Sequence, residues 1–332
     1  MKILVLRFSS IGDIVLTTPV VRALAQQVPS AEVHFATKPG YRGLLEPNPY
    51  VTKVHCLTGS LGELVEQLKA ERFDYIIDLH NNLRTRLIKL RLGVKSSSFD
   101  KLNWQKWLLV NFKINKLPDV HIVQRYLAAA APLGVKDDGQ GLDYFIPPAQ
   151  EVALKTLPQS FQRGYAAVAI GAQHATKRLP LEKLVELCQR LAPRPIMLLG
   201  GPEDAPVAEA IIAAVAQAKD HSPIHPSTHP PIENGCGRYS LHQSASLLRQ
   251  AAFVVSHDTG LMHIAAAFGK EIFSVWGNTV PEFGMYPYRT DFQVLEVKGL
   301  SCRPCSKIGF AKCPQGHFKC MREQVLDLNT RP

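Results

Sequence analysis

The sequence has no long hydrophobic run, and this argues against a helical membrane protein. None of its apolar stretches reaches the roughly 18–20 residues that a transmembrane helix needs. The apolar start, residues 1–6, is followed by Arg7 and soon afterwards by Asp13, unlike the long uncharged core of a secretory signal peptide. We therefore expect a cytoplasmic protein, in which the seven cysteines stay reduced unless they bind a metal.

Tandem repeats, a low-complexity tail and a glycine-rich dinucleotide loop are also missing. The turn after the first predicted strand contains one glycine, Gly12, and not the three of the G-x-G-x-x-G fingerprint. This absence disfavours a nicotinamide-dependent oxidoreductase.

The composition is that of a globular protein with an excess of basic residues. The chain has 332 residues, of which 46% are hydrophobic and 20% charged, and this length suits two domains. Lys and Arg outnumber Asp and Glu by 38 to 28, so the net charge is +10. Such a charge favours an anionic partner, either nucleic acid, an acidic membrane surface or a phosphorylated substrate, although solubility alone also explains it.

Short apolar runs alternate with helical patterns in both halves of the chain. The pattern predicts the following elements: strands at 3–6, 32–36, 75–79, 166–170, 196–199, 253–256 and 272–276, and helices at 61–71, 181–191, 205–218 and 260–268. This alternation predicts an α/β protein with two Rossmann-like, doubly wound domains facing each other across a cleft. We place the domains at 1–150 and 163–332, interpret the proline-containing segment 141–162 as the linker between them, and expect irregular structure in the His- and Pro-rich region 219–234.

Residues 95–120 combine several lysines with interleaved apolar side chains, including Trp104, Trp107 and Phe112. This mixture suits a membrane interface. It equally suits a surface helix that packs its apolar side on the domain, and the sequence does not decide between the two.

The turn 9–13 lies between the first predicted strand and helix, at the sheet edge where doubly wound proteins bind ligands. A carboxylate such as Asp13 at a helix N-terminus is kept ionised by the helix dipole. In a cleft it could accept a proton from a sugar hydroxyl. The alternative is that Asp13 only caps the helix.

A second turn, 256–260, has the same position in the second half. Backbone N–H groups and the dipole of the following helix make such a turn a site for a diphosphate. Asp258 and Thr259 could cap the helix or hold a ribose and phosphate, and His263 lies one turn further on the same side. Lys177 and Arg178 follow the strand at 166–170 and could add positive charge for a leaving diphosphate. Each of these residues alone could equally be structural.

Four cysteines are concentrated near the end of the sequence. Cys302, Cys305, Cys313 and Cys320 have the spacing C-x2-C-x7-C-x6-C, with His317 between the last two. Four such ligands could hold a structural zinc ion. Reduced thiols in a compact loop are the alternative.

Four motifs, in order along the chain, resemble those of glycosyltransferase family 9, the lipopolysaccharide heptosyltransferase family. They are KILVLRFSSIGDIVLTTP at 2–19, IDLHNNLR at 77–84, TKRLP at 176–180 and DTGLMHIAAA at 258–267. The resemblance implies a GT-B fold and an inverting enzyme that needs no catalytic metal, and the absence of an Asp-x-Asp metal motif agrees with it.

The resemblance also implies roles for individual residues. Asp13 matches the general base, and Lys177 matches the residue that meets the donor phosphates. The donor turn is represented by Asp258, Thr259, Gly260 and His263, with a nucleoside contact expected near Glu233 or Asn234. Acceptor contacts are expected from Ser10, Gly12, Arg84 and Arg86. The sequence departs from the family pattern at Leu179, Asn278 and Val280.

We therefore expect a heptosyltransferase-like enzyme that uses ADP-heptose and the inner core of lipopolysaccharide, or a similar anionic glycolipid. Peripheral contact with the inner membrane is compatible with this function, and no cofactor is expected for catalysis. The alternatives are a transferase for another nucleotide sugar, or a basic nucleic-acid-binding protein with the cysteines as a zinc module.

Overall fold

The structure is a computed structural model that describes residues 1–217 and 230–328. The chain divides into two compact units. Unit 1 comprises Met1–Asn103 and Pro118–Phe145, and unit 2 comprises Trp104–Leu117 and the chain from Ile146 onwards. The division falls inside the predicted linker. It differs from a single cut at residue 150 because residues 104–117 belong to unit 2.

Unit 1 is built on a parallel sheet. Its elements are β1 (Lys2–Leu6), α1 (Ile11–Val15), α2 (Thr18–Gln27), β2 (Glu32–Thr37), β3 (Lys53–Cys56), α3 (Leu61–Glu71), β4 (Tyr75–Asp78), α4 (Leu83–Leu92), β5 (Ser96–Ser98) and, after the helix α5 (Asn103–Phe112) of unit 2, α6 (Ile122–Ala130). The strands are ordered β3-β2-β1-β4-β5. Leu6 at the end of β1 pairs with Ala36 and with Asp78, so the loops after β1 and β4 begin side by side.

Local sequence signals explain where these helices begin and end. Ser60 starts α3 by accepting the N–H of Glu63 through its hydroxyl, and Asn82 starts α4 by accepting the N–H of Thr85. Pro19 stands in the first turn of α2, where its missing N–H costs nothing, so the chain breaks between α1 and α2. Gly93, with φ of 65°, ends α4 in the left-handed conformation.

The core of unit 1 lies between the sheet and its helices. β1 is buried along nearly its whole length, as expected for a parallel strand covered on both faces. Leu4, Leu6 and Phe8 pack with Leu64 and Leu68 of α3, among others. A tightly packed sheet fixes the position at which β1 ends and the candidate catalytic turn begins.

Unit 2 has a longer parallel sheet. Its elements are α5 (Asn103–Phe112), β6 (Ala166–Ala169), α7 (Leu181–Arg190), β7 (Ile196–Leu199), α8 (Ala205–Gln217), β8 (Ile232–Asn234), α9 (Leu241–Gln250), β9 (Phe253–His257), α10 (Gly260–Ala267), β10 (Ile272–Trp276), β11 (Phe292–Glu296) and α11 (Lys319–Arg322). The strands are ordered β11-β10-β9-β6-β7-β8, so β6 and β9 are neighbours. Between them the strand order reverses, and ligands of doubly wound sheets bind at such a point.

The helix α5 packs on unit 2 through one side only. Leu109 is buried against Val280 and Phe283, and the Nζ of Lys113 donates to the carbonyl of Pro304 over 2.8 Å. Trp104 and Phe112 remain 64% and 57% exposed. The tryptophans of residues 95–120 are therefore not the side chains that attach this helix to unit 2.

The α/β prediction with two Rossmann-like sheets is confirmed. The sequence analysis missed β3, β5, β8 and β11, which are the edge strands of the two sheets. Of these, β5 has no apolar residue and β8 has one. Residues 232–234 of the region predicted to be irregular form β8, and residues 218–229 lie outside the described part. Among the described residues, no helix is both long enough and apolar enough to cross a membrane.

Candidate active site

The turn after β1 places Asp13 in the first turn of the short helix α1. Its Oδ2 accepts the N–H of Ser10 over 3.0 Å and the Ser10 hydroxyl over 2.9 Å. Asp13 therefore ties down the start of the helix, as the capping alternative expected. Because its side chain is still 19% exposed, capping does not remove it from contact with a ligand.

Arg7 is the second charged group of this turn, and the sequence reading did not assign it a role. Its Nη2 lies 2.6 Å from the Asp13 Oδ1, and the arginine side chain is 9% exposed. Arg7 also donates to the carbonyls of Ser9 and Leu79 and to the hydroxyl of Tyr126 over 2.7, 2.6 and 3.0 Å. A buried arginine with this many partners is held rigidly. In the sequence, the signal that could have indicated this role was an arginine directly after a buried strand.

The environment keeps Asp13 ionised. Burial raises its pKa, but the charge of Arg7 and the hydrogen bonds from Ser10 outweigh burial and hold the pKa below the usual value. A carboxylate can accept a proton only when it is ionised. Asp13 is therefore ready to act as a base at neutral pH, although a lowered pKa makes it a weak one.

The loop after β4 lies next to this turn. Asp78 accepts the N–H groups of His80 and Asn81 over 3.0 and 2.7 Å, and its other oxygen lies 2.9 Å from the Lys89 Nζ. Burial, together with the positive charges of Arg7 and Lys101, lowers the pKa of His80 to about 4. His80 is therefore neutral at pH 7, and sequence reasoning had not singled it out.

The predicted acceptor residues are partly gathered here. Ser10 is half-buried and bonded to Asp13, while Gly12 is buried in the first turn of α1. The Arg84 guanidinium lies 5.6 Å from the centre of the Phe8 ring, just beyond β1. Arg86 is exposed on α4. Arg84 is thus directed towards the turn, and Arg86 forms part of the outer surface.

In unit 2, Lys177 and Asp258 meet where β6 and β9 end. The Lys177 Nζ lies 2.6 Å from the Asp258 Oδ2 and donates to the Asp258 carbonyl over 3.2 Å. The hydroxyl of Thr279, after β10, donates to the same carboxylate oxygen over 3.0 Å. Asp258 therefore links three loops and fixes the lysine ammonium beside the N-terminus of α10.

The helix α10 begins directly after Thr259, which has an extended backbone and no side-chain cap bond. Gly260 is its first residue, and His263 is buried one turn further on. N–H groups at a helix start, together with an adjacent ammonium, are suited to bind an anion. The predicted donor turn thus brings Lys177, Thr259 and Gly260 into one region, with His263 behind it.

The other side chains of this region are structural. His257 accepts the N–H of Leu179 through Nε2 over 2.9 Å, and burial lowers the pKa of His257 to about 4. The Arg178 Nη1 lies 3.1 Å from the Asp204 Oδ1, and the same aspartate accepts the N–H of Gly201. Arg178 therefore anchors the loop that carries Lys177.

Asn234 is not brought to this region. It ends β8, which is separated from β6 by β7. Its amide nitrogen donates to Glu209 over 2.6 Å, and its oxygen accepts the N–H of Cys236 over 3.0 Å. Glu233, the other predicted nucleoside contact, lies 3.7 Å from the Arg238 guanidinium. The two residues stabilise the turn after β8.

The cysteine-rich segment packs behind the donor loops. Arg303 donates to the carbonyls of Gly277 and Thr279 over 2.7 and 3.0 Å, and the N–H of Cys305 donates to the carbonyl of Asn278. The hydroxyl of Thr176, beside Lys177, accepts the N–H of Phe310 over 2.8 Å. The segment therefore holds the loops after β6 and β10, which carry Lys177 and the Asp258 partner Thr279.

The cysteine thiols are neighbours, but they are not gathered into a compact cluster. All four are free, and the Cys302 sulfur lies 3.8 Å from the His317 Nε2. Burial and the neighbouring thiols raise the pKa of Cys320 to about 12. In the described residues, no three of these cysteines have sulfurs within 4.8 Å of one another, so in this conformation the cysteines do not form a zinc cage.

A different group has metal-ligand spacing within the described part of the chain. Ligand atoms of His34, His55 and Glu71 all lie within 4.8 Å of one another. Lys53 and Lys2 already pair with the Glu71 carboxylate over 2.5 and 3.2 Å. The His34 Nδ1 lies 3.0 Å from the His55 Nε2, so the two rings form a hydrogen-bonded pair.

Comparisons with known proteins agree over most of the chain. Residues 61–313 match the model of glycosyltransferase family 9 (heptosyltransferase). The chain is 24% identical to lipopolysaccharide heptosyltransferase 2 of Escherichia coli K12, over 85% of this chain and 84% of that protein. It is 27% identical to lipooligosaccharide heptosyltransferase 2 of Haemophilus ducreyi, over 85% of each.

Solved structures show the same fold. The structure of E. coli ADP-heptose lipopolysaccharide heptosyltransferase II has a TM-score of 0.69 at 21% identity, covering 97% of this chain and 98% of that one. E. coli heptosyltransferase WaaC with ADP has a TM-score of 0.65 at 23% identity, covering 89% and 93%. The fold is therefore GT-B, and the family match over residues 61–313 shows that this chain is a glycosyltransferase belonging to family 9.

Proposed function

We propose that this glycosyltransferase moves a heptose from ADP-heptose onto the inner core of lipopolysaccharide or a similar anionic glycolipid. The relatives with these activities in their names match over most of their length. The observation that carries the proposal is the ionised Asp13 at the ligand-binding edge of the unit 1 sheet. It is complemented by the ammonium of Lys177 at the corresponding edge of unit 2.

Asp13 is proposed as the general base of an inverting displacement. It would accept the proton of the acceptor hydroxyl while that oxygen attacks the anomeric carbon and the bond to the nucleoside diphosphate breaks. Arg7 keeps the carboxylate ionised and oriented. The nearby Arg84 and the exposed Arg86 would attract the acidic groups of the acceptor, with Ser10 and Gly12 shaping the turn.

Lys177 is proposed to neutralise the departing nucleoside diphosphate. Two donors support this role: the ammonium itself and the free N–H groups at the start of α10. Because these groups supply positive charge where another enzyme would use a metal ion, we propose catalysis without a metal. Activity that persists in EDTA would support this, and activity restored only by a divalent cation would contradict it.

A structural zinc in the cysteine-rich segment remains a separate proposal. Burial and the neighbouring thiols raise the pKa of Cys305 and of Cys320, so the thiols lie near one another, but a cage would need them to move closer together. Elemental analysis of the purified protein gives a direct test. One zinc per chain, lost in Cys305→Ser, would support the site, and a metal-free, folded protein would refute it.

We also propose peripheral contact with the inner membrane on its cytoplasmic face, since the acceptor is lipid-linked. Trp104 and Trp107 stack at 5.0 Å, and Phe112 meets Trp107 at 5.1 Å between ring centres. These rings form an exposed aromatic ridge on α5. Aromatic side chains of this kind favour the boundary between water and lipid.

The first test is transfer to deacylated core lipopolysaccharide from ADP-heptose and from a panel of other nucleotide sugars, detected by mass spectrometry. Product from ADP-heptose, absent with Asp13→Asn, would support the proposal. Product formed only from another nucleotide sugar would show that the donor is not ADP-heptose, while the reaction would still be glycosyl transfer. If the protein binds ADP but forms no product with any donor, the proposed acceptor is wrong.

A further inference from the structure

The outer face of α4 carries a stripe of exposed leucines. Leu83, Leu87 and Leu90 are 73%, 36% and 78% exposed. Their spacing of four and three residues places them in one row along the helix. Single exposed apolar residues are common, but a continuous row indicates an interaction surface.

The leucine row is not needed to hold α4 on unit 1. The opposite side of the helix does that, because Thr85 and Ile88 are fully buried and Ile88 belongs to the core. Lys89 adds an ion pair with Asp78. The exposed leucines therefore contribute little to folding, and their exposure indicates that they bind a partner.

The charged side chains of the segment that carries this row are all positive. The sequence has no acidic residue between Asp78 and Asp100. On a helical projection, the exposed Arg86 and Arg91 stand on either side of the leucines. Lys95 follows just after the end of the helix. An apolar stripe bordered by arginines is typical of helices that lie in the headgroup region of an anionic bilayer.

We infer that the outer face of α4 docks on an anionic phospholipid surface, with Leu83, Leu87 and Leu90 entering the headgroup boundary and Arg86 and Arg91 contacting phosphates. A second copy of the chain is a poor occupant, because it would bring two identical sets of positive charges together. Nucleic acid would use the arginines but leave the leucines exposed. The role of this docking in the reaction rests on the proposed function with its lipid-linked acceptor, but the binding of α4 to phospholipid does not.

The test is co-sedimentation of the full chain with vesicles of phosphatidylcholine, with and without about one third phosphatidylglycerol. We expect binding only to the anionic vesicles, reduced at least tenfold in the triple variant Leu83→Gln, Leu87→Gln, Leu90→Gln. Arg91→Gln should weaken binding severalfold. The control is the pair Leu181→Gln and Val207→Gln, two exposed apolar residues of unit 2, which should bind like the original chain.

Equal binding of the triple variant and the original chain would overturn the inference, as would loss of binding only when Trp104 and Trp107 are replaced. Circular dichroism checks that the triple variant folds. Transfer to a deacylated, water-soluble acceptor separates the two proposals, because the triple variant should keep that activity. If the original chain binds vesicles but transfers no sugar, the proposed function fails while the docking surface stands.

Discussion

The two units present the same kind of sheet edge with opposite charges. In unit 1 the group after β1 is the carboxylate of Asp13, and its counter-charge is the buried Arg7. In unit 2 the group after β6 is the ammonium of Lys177, and its counter-charge is Asp258. The doubly wound fold supplies the position in both cases. In the proposed reaction, the anionic edge of unit 1 would accept the proton of the attacking hydroxyl, and the cationic edge of unit 2 would meet the leaving diphosphate.

This comparison also shows how each group is kept ready. Both charges are paired within their own unit, Asp13 with Arg7 and Lys177 with Asp258. Arg7 has four protein partners and is almost fully buried, whereas Lys177 is half-buried and, within the part of the chain that the structure describes, bonds to Asp258. The unit 1 pair is therefore the more rigid of the two, and changes there should have the larger consequences.

The largest expected effect comes from Asp13→Asn. The amide keeps the shape but cannot accept a proton, so kcat should fall by about 10²–10⁴, while ADP affinity stays the same. Steady-state kinetics and calorimetric titration with ADP check both parts. Asp137→Asn, an exposed carboxylate of the same unit, is the control. If ADP affinity falls as much as kcat, Asp13 contributes to nucleotide binding, and its proposed role as the base for the acceptor hydroxyl is wrong.

Arg7→Met should break the more rigid pair. It leaves Asp13 without its counter-charge and the Leu79 carbonyl without its donor, and breaking such a buried pair costs about 3–5 kcal/mol. Because Arg7 lowers the pKa of Asp13, its loss should also move the acidic limb of the pH–rate profile to higher pH. Urea unfolding and kcat/KM against pH measure the two effects. An unchanged profile in a folded Arg7→Met protein would mean that Arg7 does not tune Asp13.

Lys177→Met should have a smaller effect on the other edge. Removing a charged hydrogen-bond donor to the diphosphate costs about 1.5–3 kcal/mol, or roughly 10–150-fold in kcat/KM. The fold should persist, since Asp258 keeps the Thr279 hydroxyl as a partner. Lys298→Met, an exposed lysine of the same unit, is the control. If Lys177→Met is active at the original rate, the leaving group is neutralised elsewhere.

The sequence predicted the parts of the molecule that depend on local patterns. The helix at 61–71 and the strand at 272–276 agree residue for residue with α3 and β10, because their hydrophobic patterns and flanking turns are strong. The short strand β5 (Ser96–Ser98) has no apolar residue and is stabilised by pairing with β4, so no local pattern reveals it.

The site was predictable where a motif spans adjacent strand ends, and less so where side chains from distant segments meet. The turn at 258–260 and Lys177 came from sequence, but the Asp258 link to Thr279 depends on how the loops after β9 and β10 fold together. The family resemblance implied a nucleoside contact near Asn234, and the structure shows its amide nitrogen bonded to Glu209. Glu209 lies 25 residues from Asn234, and Thr279 lies 21 residues from Asp258, so these contacts leave no periodic signal.

The smallest expected effect is a difference in acid sensitivity. Burial lowers the pKa of His55 and of His80 in unit 1, and of His257 in unit 2, each to about 4. Between pH 6.5 and 4 the unfolded chain binds protons at these residues and the folded chain does not. The free energy of unfolding must therefore fall as the pH falls through this window.

Unit 1 holds two of these three histidines. His55→Asn should therefore measurably reduce the loss of unfolding free energy on acidification. We expect the change in unfolding free energy between pH 7 and pH 5 to shrink by about 1 kcal/mol in this variant, as measured by urea titration at both values. His174→Asn, a half-exposed histidine of unit 2, should leave the difference as it was. The carboxylates titrate mainly below pH 5, so they contribute little to this difference. If the change in unfolding free energy between pH 7 and pH 5 is the same in His55→Asn and in the original chain, His55 does not differ in protonation between the folded and unfolded chains, and the prediction is wrong.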